Sequence, residues 1–159
     1  MSKVRLGTFS DEEEVMQLCR ELHKENALLG MNENKVREVM RGAFAQKMGI
    51  IGLIGEPGKL EAAIYLTFGK FWYSDSDHLE ELFNYVRPAY RRSTNAKDLI
   101  QFAKKCAEDV GLPLVIGVLS NERTEAKVKL YERQLKKPAG AFFIYNFHNP
   151  TEQAAAEVH

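Results

Sequence analysis

Residues 86–99 read Val-Arg-Pro-Ala-Tyr-Arg-Arg-Ser-Thr-Asn-Ala-Lys-Asp-Leu. The stretch leaves an apolar strand, passes two adjacent arginines and enters the first turn of a helix. Successive backbone N–H groups, the positive end of a helix and two fixed cations then converge on one small region. That combination suits an anion such as a pyrophosphate. By composition alone the same residues read as an ordinary helix start, with Ser93 or Thr94 as cap and Arg91 and Arg92 exposed.

The rest of the composition narrows what such an anion could belong to. The chain has 159 residues, enough for one domain with a real core, and is 45% hydrophobic and 28% charged. Its 22 basic and 22 acidic side chains balance, which argues against a nucleic-acid-binding or membrane protein as a whole. The basic pairs Arg91–Arg92, Lys104–Lys105 and Lys136–Lys137 are too short to change that. Two cysteines, Cys19 and Cys106, are too few for a disulfide scaffold and read as small buried hydrophobes. Four histidines lack ligand spacing, so no metal is expected. Without a signal-like or membrane-spanning apolar run, the expected location is the cytoplasm.

The elements that position the 86–99 turn follow from periodicity. Val4 to Phe9 alternates as a strand. Ser10 with Asp11, Glu12 and Glu13 starts a helix, continued by Val15, Leu18, Cys19 and Leu22. A polar turn from Asn26 to Asn34 precedes a second helix through Val36, Val39, Met40, Ala43 and Phe44. Gly49 to Gly55 and Leu60 to Phe68 are strands joined by the hairpin turn Glu56-Pro57-Gly58-Lys59. After an aromatic loop containing Phe71, Trp72 and Tyr73, Leu79 to Val86 is the fourth strand. Ser93 to Gly111 is the clearest helix, Leu114 to Leu119 a strand, Glu122 to Leu135 a helix and Ala141 to Phe147 a last strand. Residues 148–159 read as a loose tail. The order β-α-α-β-β-β-α-β-α-β predicts an α/β (α+β) domain over residues 1–147. Its mixed, mostly antiparallel central sheet is flanked by helices on both faces, with a parallel crossover from the fourth to the fifth strand.

This order, with an anion-ready turn after the fourth strand, resembles the GNAT superfamily of acyl-CoA N-acetyltransferases. The family signature [Q/R]-x-x-G-x-[G/A] aligns with Arg91-Arg92-Ser93-Thr94-Asn95-Ala96, and Val86-Arg87-Pro88-Ala89-Tyr90 matches its V-x-P-x-Y lead-in. The chain departs from the pattern at Thr94, where the family has a glycine that lets the backbone approach the pyrophosphate. The Thr94 hydroxyl could instead donate to a phosphate or cap the helix. The form Arg-Arg-Ser-x-x-Ala, preceded by Leu79-Glu80-Glu81-Leu82-Phe83-Asn84, is similar to a phage-encoded branch. Downstream, Asn121 and Leu130-Tyr131-Glu132 resemble the family's N-x-x-A and L-Y-E, with a longer gap and with Gln134-Leu135 in place of Gly-Phe.

The resemblance implies acetyl-CoA as co-substrate and a sheet of about six to seven strands with the fourth and fifth splayed. Backbone groups of Asn84, Tyr85 and Val86 would pair with pantetheine like an added strand, and one N–H would polarise the thioester carbonyl. Arg91, Arg92, Ser93, Thr94, Asn95 and Ala96 would cradle the pyrophosphate, with Asn121 nearby. Tyr131 would be the general acid, since a phenol stays protonated at neutral pH and can give its proton to a departing thiolate. The alternative for Tyr131 is the core stripe it shares with Val128 and Leu135. The base is Glu80 or Glu81, adjacent and on opposite strand faces, or a chain of waters. Counting back from Arg91, Glu80 falls where some members of the family keep a catalytic glutamate, so the resemblance favours Glu80, which simple alternation puts on one face with Leu82, Asn84 and Val86. His78 is a further proton carrier to consider. The acceptor would be a small-molecule amine or a protein amine, with no membrane partner. The last strand, Phe142 to Phe147, suits a homodimer or the core. Two other readings compete: a catalytically silent binding or assembly protein of the same fold, and a nucleic-acid adaptor using Arg87, Arg91, Arg92 and Lys97. Charge neutrality weighs against the latter.

Overall fold

The strand Ile-Ile-Gly-Leu-Ile-Gly-Glu at 50–56 is apolar on both sides, so it needs cover on both faces. In the computed structural model, which describes residues 3–120 and 123–146, it receives that cover. The elements run β1 (Arg5–Leu6), α1 (Glu12–Asn26), α2 (Glu33–Phe44), β2 (Ile50–Glu56), β3 (Lys59–Lys70), β4 (Asp77–Val86), α3 (Asn95–Val110), β5 (Leu114–Val115) and α4 (Thr124–Leu135). The sheet order is β1-β2-β3-β4-β5, antiparallel except for the parallel β4–β5 pair.

One core lies between the sheet and α1 with α2. There Val15, Met16, Leu18, Met40 and Phe44 meet Ile51, Leu53, Ala63, Tyr65 and Tyr85. The other lies under α3, where Leu99 and Ala103 meet Ile54, Ala62, Ile64 and Leu66. At Gly52 the α3 side packs so closely that an added Cβ would sit 2.6 Å from the Phe102 ring. The α3 helix stops at Gly111, which takes the left-handed conformation (φ 68°) that favours glycine.

The strands are shorter than alternation suggests. β1 is two residues long because the chain turns at Thr8 into a capping box with Asp11. The Asp11 carboxylate accepts from the Arg5 guanidinium and the Thr8 N–H, and the arginine bond holds it below the ordinary carboxylate range. β5 stops after Val115, so residues 116–119 are not strand.

The expected six to seven strands are five among the described residues. Residues 141–146 form no strand, and Phe142, Phe143 and Tyr145 stand almost fully exposed; Phe147 and the expected tail at 148–159 lie outside the described residues. The physical reason is pairing: a strand needs a neighbour's ladder, and the two-residue β5 offers almost none.

One irregularity controls the side chains of β4. Tyr65 of β3 pairs with Phe83, but the next residue, Leu66, pairs with Glu81, so Leu82 is an extra residue in β4. A bulge of this kind resets the alternation.

Candidate functional site

The bulge at Leu82 overturns the face assignment made from simple alternation. Asn84 pairs with Ile64 and Glu81 with Leu66, and both partners belong to the α3-side core. Directly opposed residues share a face, so Glu81, not Glu80, lies on the face of Asn84 and Val86. Glu80 pairs with Thr67 and turns to the opposite face, with one carboxylate oxygen 3.4 Å from His78 Nε2. His78 itself is buried against the Phe71 ring.

Glu81 meets Tyr131. The Tyr131 hydroxyl, on α4, donates to Glu81 Oε2 at 3.3 Å and accepts from Asn84 Nδ2 at 3.4 Å. Burial lifts the Glu81 carboxyl from its ordinary 4.5 to about 7, against the downward pull of the Tyr131 hydrogen bond. Burial, reinforced by the nearby Glu81 charge, pushes the Tyr131 phenol well above its ordinary value. A carboxyl that titrates near neutrality therefore touches a phenol that stays protonated, a pairing suited to acid–base work.

This trio sits where β4 and β5 separate. The two strands pair only at Leu79–Leu114 and Glu80–Val115, and beyond Glu80 the β5-facing edge of β4 has no ladder partner among the described residues. Two cavities open there. The larger, about 620 Å³, runs from α1 and the α1–α2 turn across β4 to residues 115–120. The smaller, about 180 Å³, is lined by Asn84, Tyr85, Val86, Arg91, Ala96 and Lys127 among others. Asn26, Asn84, Lys127 and Tyr131 line both, so Tyr131 stands at their junction.

The sequence-expected anion loop is split by the fold. Arg91 and Ala96 reach the smaller cavity. The Arg91 Nε donates to Val86 O at 3.1 Å, its Nη2 donates to Glu25 Oε2, and its guanidinium lies 5.7 Å from the Tyr85 ring centre. Arg92, Ser93 and Thr94 are exposed and line neither cavity. The Ser93 hydroxyl donates to Tyr90 O, and the Thr94 hydroxyl donates to Asp98. Thr94 has φ −84°, a conformation open to any residue, so the backbone here does not require the glycine found in the family pattern. Asn95 is fully buried, lines neither cavity and donates to Glu61 Oε2 of β3 at 2.8 Å. Asn121 lies outside the described residues.

Three residues at this site escaped the sequence reading. The Asn84 amide, considered there only for its backbone, holds the phenol. Lys127 precedes Tyr131 by one helical turn, a spacing that puts the two on one face. Glu25 sits on Arg91 across 66 residues of chain, with no local signal.

No protein-family model matches the chain, and no curated protein matches it. Solved structures do. An integron cassette protein from the mobile metagenome of Cole Harbour Salt Marsh superimposes with a TM-score of 0.71 at 19% identity, over 93% of this chain and 91% of that one. AAC(6')-Iy, solved with the bisubstrate analogue CoA-S-monomethyl-acetylneamine, gives 0.70 at 14% identity, over 90% and 95%. A GNAT family acetyltransferase of Staphylococcus aureus gives 0.61 at 15% identity, over 90% and 96%. The chain has the fold of the GNAT family acetyltransferases.

Proposed function

We propose that this chain is an acetyl-CoA-dependent N-acetyltransferase that acetylates a primary amine of a small molecule by direct attack, with Glu81 as base and Tyr131 as acid. The observation that carries the reading is the Glu81–Tyr131 contact at the junction of the two cavities, one of them walled by the Arg91 guanidinium. The smaller cavity suits an acyl-CoA on three counts. It has cations at Arg91 and Lys127, it lies beside the N-terminus of α3, and it borders the unpaired edge of β4. AAC(6')-Iy, of the same fold, takes a CoA-linked acetylneamine analogue, which supports a small-molecule amine as acceptor.

Acetyl-CoA supplies the activated acyl group and a thiol leaving group. The chain supplies proton handling. An ammonium loses two protons on becoming an amide: one ends on the sulfur and one in solvent. Glu81, ionised above about pH 7, takes a proton from the amine. Tyr131 holds the proton that the departing sulfur needs. Because the two oxygens are 3.3 Å apart, the proton on Glu81 can pass directly to the phenolate and restore both groups.

One observation favours a second reading, a catalytically silent binding or assembly protein: Glu25 already neutralises Arg91. Thermal denaturation with and without acetyl-CoA, together with a thiol-release assay, decides between them. A cofactor at about 100 times its Kd stabilises the native state by ~2.7 kcal/mol, a clear rise in melting temperature. Binding followed by amine-dependent thiol release supports the enzyme. No shift and no release supports the silent reading.

A further inference from the structure

The larger cavity says what kind of amine it would accept. Its α1–α2 side is walled by Leu22, Met31, Val36 and Phe83, all packed onto the core. Its far rim carries Leu82 and Leu119, both exposed. Among the described residues, two carboxylates line it, Glu80 and Glu81.

The acids of α1 and the first residue of α2 are already committed. Every glutamate of α1 is bound: Glu12 to Arg37 and Arg41, Glu13 to Arg37, Glu14 to the Gly58 and Leu60 N–H groups, Glu21 to Arg87 and Glu25 to Arg91. Glu33, at the start of α2, is bound to Arg20. A polycation such as an aminoglycoside would need several free carboxylates to replace the water around its ammonium groups, and this wall offers hydrocarbon instead.

Resting on the acetyltransferase reading above, we infer that the acceptor is a singly charged primary amine on an apolar, small-molecule body. The ammonium meets Glu81, and the body lies against Leu22, Met31, Val36 and Phe83. The expected preference runs opposite to that of an aminoglycoside enzyme.

The test is an amine panel on the intact chain with acetyl-CoA, read by thiol release and by mass of the product. It uses 2-phenylethylamine and hexylamine as apolar monoamines, ethanolamine as a small polar one, and kanamycin and spermidine as polycations. We expect kcat/KM for 2-phenylethylamine to exceed those of ethanolamine and kanamycin by about 10-fold or more, in the range that one to a few methylenes earn in an apolar pocket. Met31→Glu places a carboxylate in the wall. It should raise the KM for 2-phenylethylamine by about 10-fold with kcat little changed, and should not weaken kanamycin. The wild-type panel stands even if that variant folds poorly.

An acetyl-CoA-induced thermal shift with kanamycin, spermidine or ethanolamine as the better substrate, or with no discrimination or turnover, overturns the acceptor assignment while leaving cofactor binding intact. Absence of both the shift and any turnover overturns the assignment and the acetyltransferase reading together.

Discussion

The two edges of β4 differ sharply. Toward β3 it is paired from Asp77 to Val86, interrupted only at Leu82, and both faces of that ladder join buried cores. Toward β5 it is paired at two residues and then opens. The candidate site spans that divide: Glu81 and Asn84 stand on the firm strand, while Tyr131 comes from α4, a helix whose residues are half-buried or exposed, although the Tyr131 hydroxyl itself is sheltered from water. One side supplies a fixed carboxylate and amide, and the other brings a phenol and two cationic side chains, Arg123 and Lys127, across an open gap. In the proposed reaction the base thus stands on the well-paired side and the acid on the weakly paired one.

The largest expected effect falls on the firm wall. With Glu81 as base, Glu81→Gln should lower kcat/KM by ~10²–10⁴-fold at pH 8, the span of general acid–base contributions. Glu80→Gln, one residue away on the opposite face but also lining the larger cavity, should lose far less and lose it in KM rather than in kcat. The wild-type rate should rise with pH to an inflection near about 7, where Glu81 ionises, and that limb should vanish in Glu81→Gln. Steady-state pH profiles of the two variants read this directly. Equal losses in both would show that the bulge does not separate their roles.

Next comes the open wall. Tyr131→Phe keeps the ring and removes the proton, and should cost ~10²-fold in kcat with little change in KM. A near-normal rate would assign Tyr131 to packing alone.

Much of the firm half was legible in the sequence. The helical stripes of α1, α2 and α3, the hairpin at Glu56–Lys59 and the stop at Gly111 are local signals, and they placed the Arg91 turn after the correct strand. What failed was non-local. Alternation put Glu80 on the face of Asn84 because nothing in Leu79-Glu80-Glu81-Leu82-Phe83-Asn84 marks the bulge, which exists only against Tyr65 and Leu66 of β3. Residues 116–119 and 141–146 carry strand-like residues but no strand, because pairing belongs to two segments and not one. Glu25 was invisible as a site residue, since its partner is brought to it by the fold alone.

A stability effect follows from the same carboxyl. Folding raises Glu81 from 4.5 to about 7, so between those values the native chain holds a proton that the unfolded chain has lost. The contribution is complete below pH 4.5 and is lost as pH rises through about 7. Above pH 7 the buried charge therefore costs roughly 3 kcal/mol. Glu81→Gln should recover part of this, raising the melting temperature at pH 8 by several degrees and at pH 5 by much less. An equal rise at both pH values would mean that packing, not charge, is responsible.

The smallest effect concerns the entrance to the open side. Glu25, in the last turn of α1, holds the Arg91 guanidinium that an incoming pyrophosphate would need. The pair is partly exposed, so its own strength is modest, about 1 kcal/mol or less. Glu25→Gln keeps the shape and removes the charge. It should therefore tighten acetyl-CoA about 2- to 5-fold, as a gain of up to about 1 kcal/mol allows, and leave kcat unchanged because neither group reaches the Glu81–Tyr131 pair. Titration calorimetry at two salt concentrations is the direct check, since a Coulombic gain shrinks as salt rises. Weaker binding in the variant would reverse the account: Glu25 would then be the residue that holds Arg91 in position for the phosphate, and the ion pair would belong to the firm side of the site.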